Sequence, residues 1–135
     1  MKGKAPPPAR LLRALADETR LRILRLIGKQ EVCVCYFVEA LSESQPKVSR
    51  HLAYLRREGL VKTRREGKWM HYQLAELNDR RASKLLAEAL DWMGEQPIAA
   101  RDAARFKAVC CQPEKLVTLQ GAPQPGPAKR SSRHN

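Results

Sequence analysis

Leu41-Ser42-Glu43-Ser44-Gln45-Pro46-Lys47-Val48-Ser49-Arg50-His51-Leu52 is the stretch on which the fold turns. Ser42-Glu43-Ser44 is a polar turn, and Ser44 is placed to cap a helix whose first turn carries Pro46, where a missing N–H costs little. Within that helix Val48, Leu52 and Leu55 form a narrow apolar stripe, while Gln45, Lys47, Ser49, Arg50, Tyr54 and Arg57 face away from it. Ahead of the turn a shorter pattern, from about Cys35 to Leu41, sets Phe37, Val38 and Leu41 on one side. Helix, short turn and helix, with polar and basic residues at the second N-terminus, is an arrangement that enters a major groove.

Downstream, Gly59 ends the helix and Leu60 to Arg65 alternates toward Glu66-Gly67-Lys68, a glycine-containing turn. Trp69 to Leu74 returns as the second strand of a hairpin, with Trp69, His71 and Gln73 on one face and Met70, Tyr72 and Leu74 on the other. A hairpin this rich in Arg and Lys reads as a wing against phosphate. The expected fold is mainly α with a small β-hairpin wing: a winged helix-turn-helix, dimeric.

Upstream, Leu11, Leu12 and Leu15 recur at helical spacing, and Asp17 offers the cap for a second helix made apolar by Leu21, Ile23, Leu24 and Ile27. Arg20, Arg22 and Arg25 are expected to turn away from that apolar side, and Gly28 to stop the helix. On the far side of the hairpin, Asn78 or Asp79 can cap a helix in which Ala82, Leu85, Leu86, Ala89 and Met93 repeat at i, i+3, i+4 and i+7. An amphipathic helix outside a compact winged unit is often a subunit seam, and a reader of two half-sites needs a dimer. Pro97 interrupts, and Ile98 to Cys111 resumes with Ala99, Ala103, Phe106 and Cys110 on one face.

The domain layout that follows is a flexible lead over 1–8, one DNA-binding and dimerisation domain over 9–112, and a tail over 113–135. From Gly121 the tail has no apolar periodicity and is expected to be disordered.

Lys and Arg number 26 against 14 Asp and Glu, a formal charge of +12, which favours a polyanionic partner. The excess is clustered, in Arg56-Arg57, in Lys62-Thr63-Arg64-Arg65 and at Lys68, which points to double-stranded DNA rather than to a membrane surface. The first residues carry charge but no apolar core, and no later run approaches the roughly 20 apolar residues of a spanning helix, so the expected location is cytoplasmic. In a reducing compartment the four cysteines are expected to be free thiols or ligands. There is no Cys-x-x-Cys in a βαβ context, no phosphate loop and no nucleophile and base set, so the chain does not read as an enzyme.

Glu31-Val32-Cys33-Val34-Cys35, followed by Leu41 to Leu52 as quoted and by Glu66-Gly67-Lys68-Trp69-Met70-His71-Tyr72, closely resembles the ArsR/SmtB family of metal-responsive winged-helix repressors, most of all its arsenic-responsive branch. The likeness covers about Leu11 to Trp92. It implies a homodimer that binds operator DNA upstream of a resistance operon and is released when As(III) or Sb(III), the inducer, binds cysteine thiolates. No obligatory cofactor is implied. In the best-known members the cysteine motif reads Cys-Val-Cys-Asp-Leu-Cys, whereas here Tyr36, Phe37 and Val38 follow Cys35. Other members use cysteines near the C-terminus, the place held here by Cys110-Cys111.

Soft thiolates select soft, thiophilic ions. Trivalent arsenic makes three bonds to sulfur in a pyramid, so the expected ligands are Cys33 and Cys35 with Cys110 or Cys111, from one subunit or two. On an α-helix residues i and i+2 point about 200° apart, whereas on extended backbone they share a face. Cys33 and Cys35 can therefore hold one ion only if their segment is extended or the helix start is distorted. A helix N-terminus there is expected to lower both thiol pKa values. For DNA the expected contacts are Ser44, Gln45, Lys47, Ser49, Arg50 and His51 at the major groove and Arg57, Arg64, Arg65 and Lys68 on phosphate. The alternatives on the same fold are a thiol redox or persulfide sensor and a cadmium or zinc sensor.

Overall fold

The computed structural model describes residues 4–110 and 129–130. Cys111, Gln112 and the expected tail apart from 129–130 lie outside the described residues, as do the first three residues of the lead. The order of elements is α1 (Pro8–Leu15), α2 (Glu18–Ile27), β1 (Gln30–Cys33), α3 (Val34–Leu41), α4 (Gln45–Arg57), β2 (Val61–Glu66), β3 (Trp69–Leu74), α5 (Arg80–Gly94), α6 (Pro97–Cys110) and β4 (Lys129–Arg130).

Helix boundaries follow the local chemistry. Asp17 accepts the Arg20 N–H at the start of α2 and Gly28 ends it at φ 53°. Ser44 accepts the Lys47 N–H at 3.3 Å to open α4, and Asp79, not Asn78, accepts the N–H groups of Arg81 and Ala82 to open α5. Gly59, at φ 78°, turns the chain from α4 into the hairpin, where a side chain would be strained. Val48, Leu52 and Leu55 are fully buried, so α4 sits on its expected stripe.

Around that core the structure departs from simple periodicity. Leu12, grouped with Leu11 and Leu15, is 52% exposed, and Leu85 on α5 is 39% exposed, because each helix covers the core with one edge of an apolar patch broader than the core needs. On α6 the inward face is Ala99, Asp102, Phe106 and Val109, while Ala103 is exposed. Arg22, expected to turn outward, is buried on α2 against Asp102.

The hairpin is a two-residue connection: β2 and β3 pair antiparallel from Val61↔Leu74 to Glu66↔Trp69, leaving Gly67 and Lys68 as the turn. What periodicity did not reveal is β1, which pairs antiparallel with the other edge of β3 through Val32↔Tyr72 and Cys33↔His71. Backbone of Gln30 and Glu31 also pairs with β4. Four residues are too few to display alternation, and β1 exists because β3 offers it an edge. The wing is thereby joined to the cysteine segment. Tyr72 packs edge-on against Phe37 of α3, with centroids 6.3 Å apart. Among the described residues, no helix is long and apolar enough to cross a membrane.

Candidate thiol site and nucleic-acid interface

Cys33 is the last residue of β1 and also the N-cap of α3, with extended backbone at φ −76° and ψ 148°. Cys35 lies in the first turn of the helix. The chain changes from extended to helical between them, and this bends the two side chains together: their Sγ atoms are 3.1 Å apart, with Cys35 donating to Cys33. Two sulfurs bound to one ion at about 2.3 Å would stand about 3.3 Å apart at a right angle and about 3.8 Å apart at a tetrahedral one. The pair thus has nearly the spacing that sharing one ion at a narrow angle requires.

Both cysteines are buried. The two thiols are electrically unlike, contrary to the expectation that both pKa values fall. The Cys33 thiol is lowered, first because Cys35 donates to it, with burial opposing and the N–H groups of Val34 and Cys35 adding to the effect. The Cys35 thiol is pushed up, first because its proton is held by Cys33, then by burial and by charge on Cys33. Of the two thiols Cys33 gives up its proton more readily, which makes it the better nucleophile.

Among the described residues no group of three His, Cys, Asp or Glu side chains could hold a metal ion. The helix that ends at Cys110 is nevertheless oriented toward the corner. Asp102 lies by the C-terminal end of α3 through Arg22, which donates to Leu41, and the Phe106 ring meets Tyr36 near its N-terminal end at 5.9 Å. So α6 runs antiparallel to α3, and the Cys110 backbone, one turn past Phe106, lies toward the cysteine end. The Cys110 side chain and Cys111 lie outside the described residues.

The wing is tied to the same strand. Arg64 grips Glu31, two residues before Cys33, with Nε at 3.0 and 3.1 Å from the carboxylate oxygens and Nη2 at 2.7 Å. Arg64, expected on phosphate, is thus held by a partner within the fold. His71, opposite Cys33, is buried and lies 3.1 Å from Glu66.

The other predicted DNA contacts divide by exposure. Ser44, Gln45, Ser49, Arg50, Arg57, Arg65 and Lys68 are exposed, which leaves them accessible to a duplex. Lys47 is half-buried and pairs with Glu43 at 3.0 Å. His51 is also half-buried, and its pKa is lowered by burial, with nearby Asp17 opposing. Arg57 and Arg20 both lie over the Tyr54 ring, at 5.1 and 4.3 Å from its centroid.

Sequence reasoning missed Glu31, Arg22 and Asp102. A signal existed for the latter two: Thr19, Arg22, Ile23, Leu26 and Ile27 follow i, i+3, i+4, i+7 and i+8, and Asp102 stands between Ala99 and Phe106 on its own stripe. Opposite charges inside two apolar stripes are a buried pair in waiting.

Residues 17–63 match the sequence profile described as bacterial regulatory protein, arsR family. The chain is 49% identical over 90 residues to the arsenical resistance operon repressor of Escherichia coli K12, a match covering 66% of this chain and 75% of that protein. It is 48% identical over 68 residues to the arsenic resistance transcriptional regulator ArsR1 of Pseudomonas putida KT2440, covering 50% of this chain and only 53% of that one. Among solved structures, HlyU from Vibrio cholerae N16961 superposes with TM-score 0.55 at 34% identity, over 62% of this chain and 88% of HlyU. The antimony-specific transcriptional repressor AntR superposes with TM-score 0.53 at 27% identity, over 64% and 77% of the two chains.

Proposed function

This chain belongs to the arsR family of bacterial regulatory proteins, DNA-binding regulators rather than enzymes, and we propose that within it the chain is an arsenite- or antimonite-responsive repressor. In this reading it acts in the cytoplasm, binds operator DNA as a homodimer, and is released when As(III) or Sb(III) is captured by thiolates. The observation that carries it is the 3.1 Å approach of Cys33 and Cys35 at the start of the helix that precedes the recognition helix. The names of the Escherichia coli and Pseudomonas relatives and of the antimony-specific repressor support the inducer class.

Capture exchanges hydroxyl for sulfur: each thiol that bonds arsenous acid releases one water, and three bonds complete the pyramid. Cys33, the better nucleophile, attacks first, Cys35 follows from 3.1 Å, and Cys110 or Cys111 supplies the third sulfur. Closing the pyramid fixes the N-terminal end of α3, whose other end leads through Ser42, Glu43 and Ser44 into α4. Ligation and operator binding thus act on one short length of backbone. The coupling needed is ordinary, about 1–3 kcal/mol or roughly 5–150-fold in affinity.

On the DNA side, Gln45, Ser49 and Arg50 read base edges, with Ser44, Lys47 and His51 at the groove margin, and Arg57, Arg65 and Lys68 hold phosphate. Leu12 on α1 with Leu85 and Trp92 on α5, the last 73% exposed, supplies apolar surface for the second subunit.

The test is fluorescence anisotropy with a duplex selected from a random pool by the wild-type protein. Arsenite should release wild type, and Cys33→Ser and Cys35→Ser should bind that duplex yet stay bound when arsenite is added. Unchanged release from both variants would defeat the proposal. Release by peroxide, cadmium or zinc but not by arsenite would transfer the site to another inducer.

A further inference from the structure

Among the described residues, Arg22 is a buried guanidinium with three different partners. Its Nε and Nη2 donate to the two carboxylate oxygens of Asp102, each at 2.8 Å. Nη2 also donates to the Leu41 carbonyl at 2.9 Å, and Nη1 lies 3.5 Å from Glu43. The other oxygen of Glu43 holds the Lys47 ammonium at 3.0 Å. Arg22 and Asp102 are 4% and 2% exposed, 80 residues apart in sequence.

We infer that Arg22 is a positioning residue for operator binding: its one rigid fork sets the first turn of the recognition helix against both helices that bear cysteines. Three facts converge on that joint. Leu41 is the last residue of α3, whose first turn holds Cys35, so the carbonyl that Arg22 grips is the far end of the sensing helix. Asp102 is on α6, which ends at Cys110. Glu43 and Lys47 belong to the turn and to the first turn of α4, where the DNA contacts begin.

Between the gripped carbonyl and Glu43 stands Ser42 at φ 55° and ψ 44°, the only non-glycine residue with positive φ among those described. A serine in this left-handed region costs energy and persists only where its surroundings hold it. Arg22 supplies that hold from the preceding carbonyl and the following carboxylate. A buried ion pair is weak evidence for stability; what a planar fork can set is register, since it accepts few arrangements of its partners. Movement of either cysteine-bearing helix therefore reaches α4 through one group. The inducer half of this inference rests on the proposed function; the positioning half does not.

The experiment compares wild type, Glu43→Gln and Arg22→Lys for affinity to the wild-type-selected duplex and to random duplex, without and with arsenite, alongside thermal melting and arsenic bound per subunit. The half-exposed Glu43 can lose its charge without burying an unpaired one, so Glu43→Gln decides the matter if Arg22→Lys does not fold. In the folded variants the selected-to-random affinity ratio should fall by at least about fivefold, with arsenic still bound and its effect on DNA reduced by a like factor. A purely structural role would lower the melting temperature and leave both ratios intact, which would overturn the inference. If arsenite does not release wild type, the inducer reading fails, and the ratio without arsenite still judges the joint.

Discussion

The cysteine corner and the outer face of α4 lie within one helix and one turn of each other, and they are built on opposite plans. At the corner both thiols are buried, the sulfurs touch, and the adjoining strand is locked to the wing by Arg64 and Glu31. On the outer face Gln45, Ser49 and Arg50 are exposed above a stripe of three fully buried side chains. A sensor for a small ion needs several groups at set distances, which demands tertiary packing. A reader of DNA needs a rigid helix with its donors in water, which periodicity and a cap already supply. Disturbing packing should therefore damage both regions, and disturbing surface only one.

The largest effect should come from beneath the reading face. Leu52→Ala empties a fully buried site and should cost about 2–5 kcal/mol of stability in denaturant unfolding, taking DNA binding and thiol geometry down together. Survival of inducer response in a variant that no longer binds tightly would break the comparison. Next, Arg50→Ala should weaken binding to the selected duplex by about 1–3 kcal/mol with an unchanged melting temperature, whereas Lys107→Ala, at an exposed position of α6, should do much less at equal salt. Equal losses would mean attraction by charge alone. A smaller change, about 1 kcal/mol of stability, is expected from Ser44→Ala, which removes the cap of α4, with Ser44→Asp restoring it.

The smallest effect is acid sensitivity of the helix starts. Asp17 is pulled up by burial, but the Arg20 N–H and the charges of His51 and Arg20 outweigh this and leave its pKa below 3.8. Asp79 is likewise lowered, chiefly by the Ala82 N–H. A lowered folded-state pKa stabilises fully above the unfolded value and is lost as pH falls through the folded one. The melting temperature should thus decline below pH 3.8 less steeply in Asp17→Asn than in wild type. A decline equally steep in both would remove Asp17 from the account.

Much of this molecule was legible in one dimension. Asp17, Ser44 and Asp79 sit where a cap must sit, Gly28 and Gly59 end their helices, and the Gly67-Lys68 turn lies between two strands, because each of these is decided by a few adjacent residues. The requirement that Cys33 and Cys35 straddle a break in helix geometry was also readable, and it is met at the strand-to-helix junction. The break itself was not readable: β1 is too short to show a period and forms only against β3. Arg64 could not be separated from Arg65 by charge, since only the arrival of Glu31 from another strand distinguishes them.

By itself, then, the order of residues determined the winged helix-turn-helix, the polar and basic outer side of α4 and the presence of two cysteines one residue apart. Local backbone preference and apolar periodicity act over a few neighbours and suffice for those. Only the tertiary structure decided that the two sulfurs meet, that their protons are held unequally, and that Arg22 and Asp102 join two distant helices. Distances between groups far apart in the chain, and the desolvation that makes them matter, come into being when the core closes.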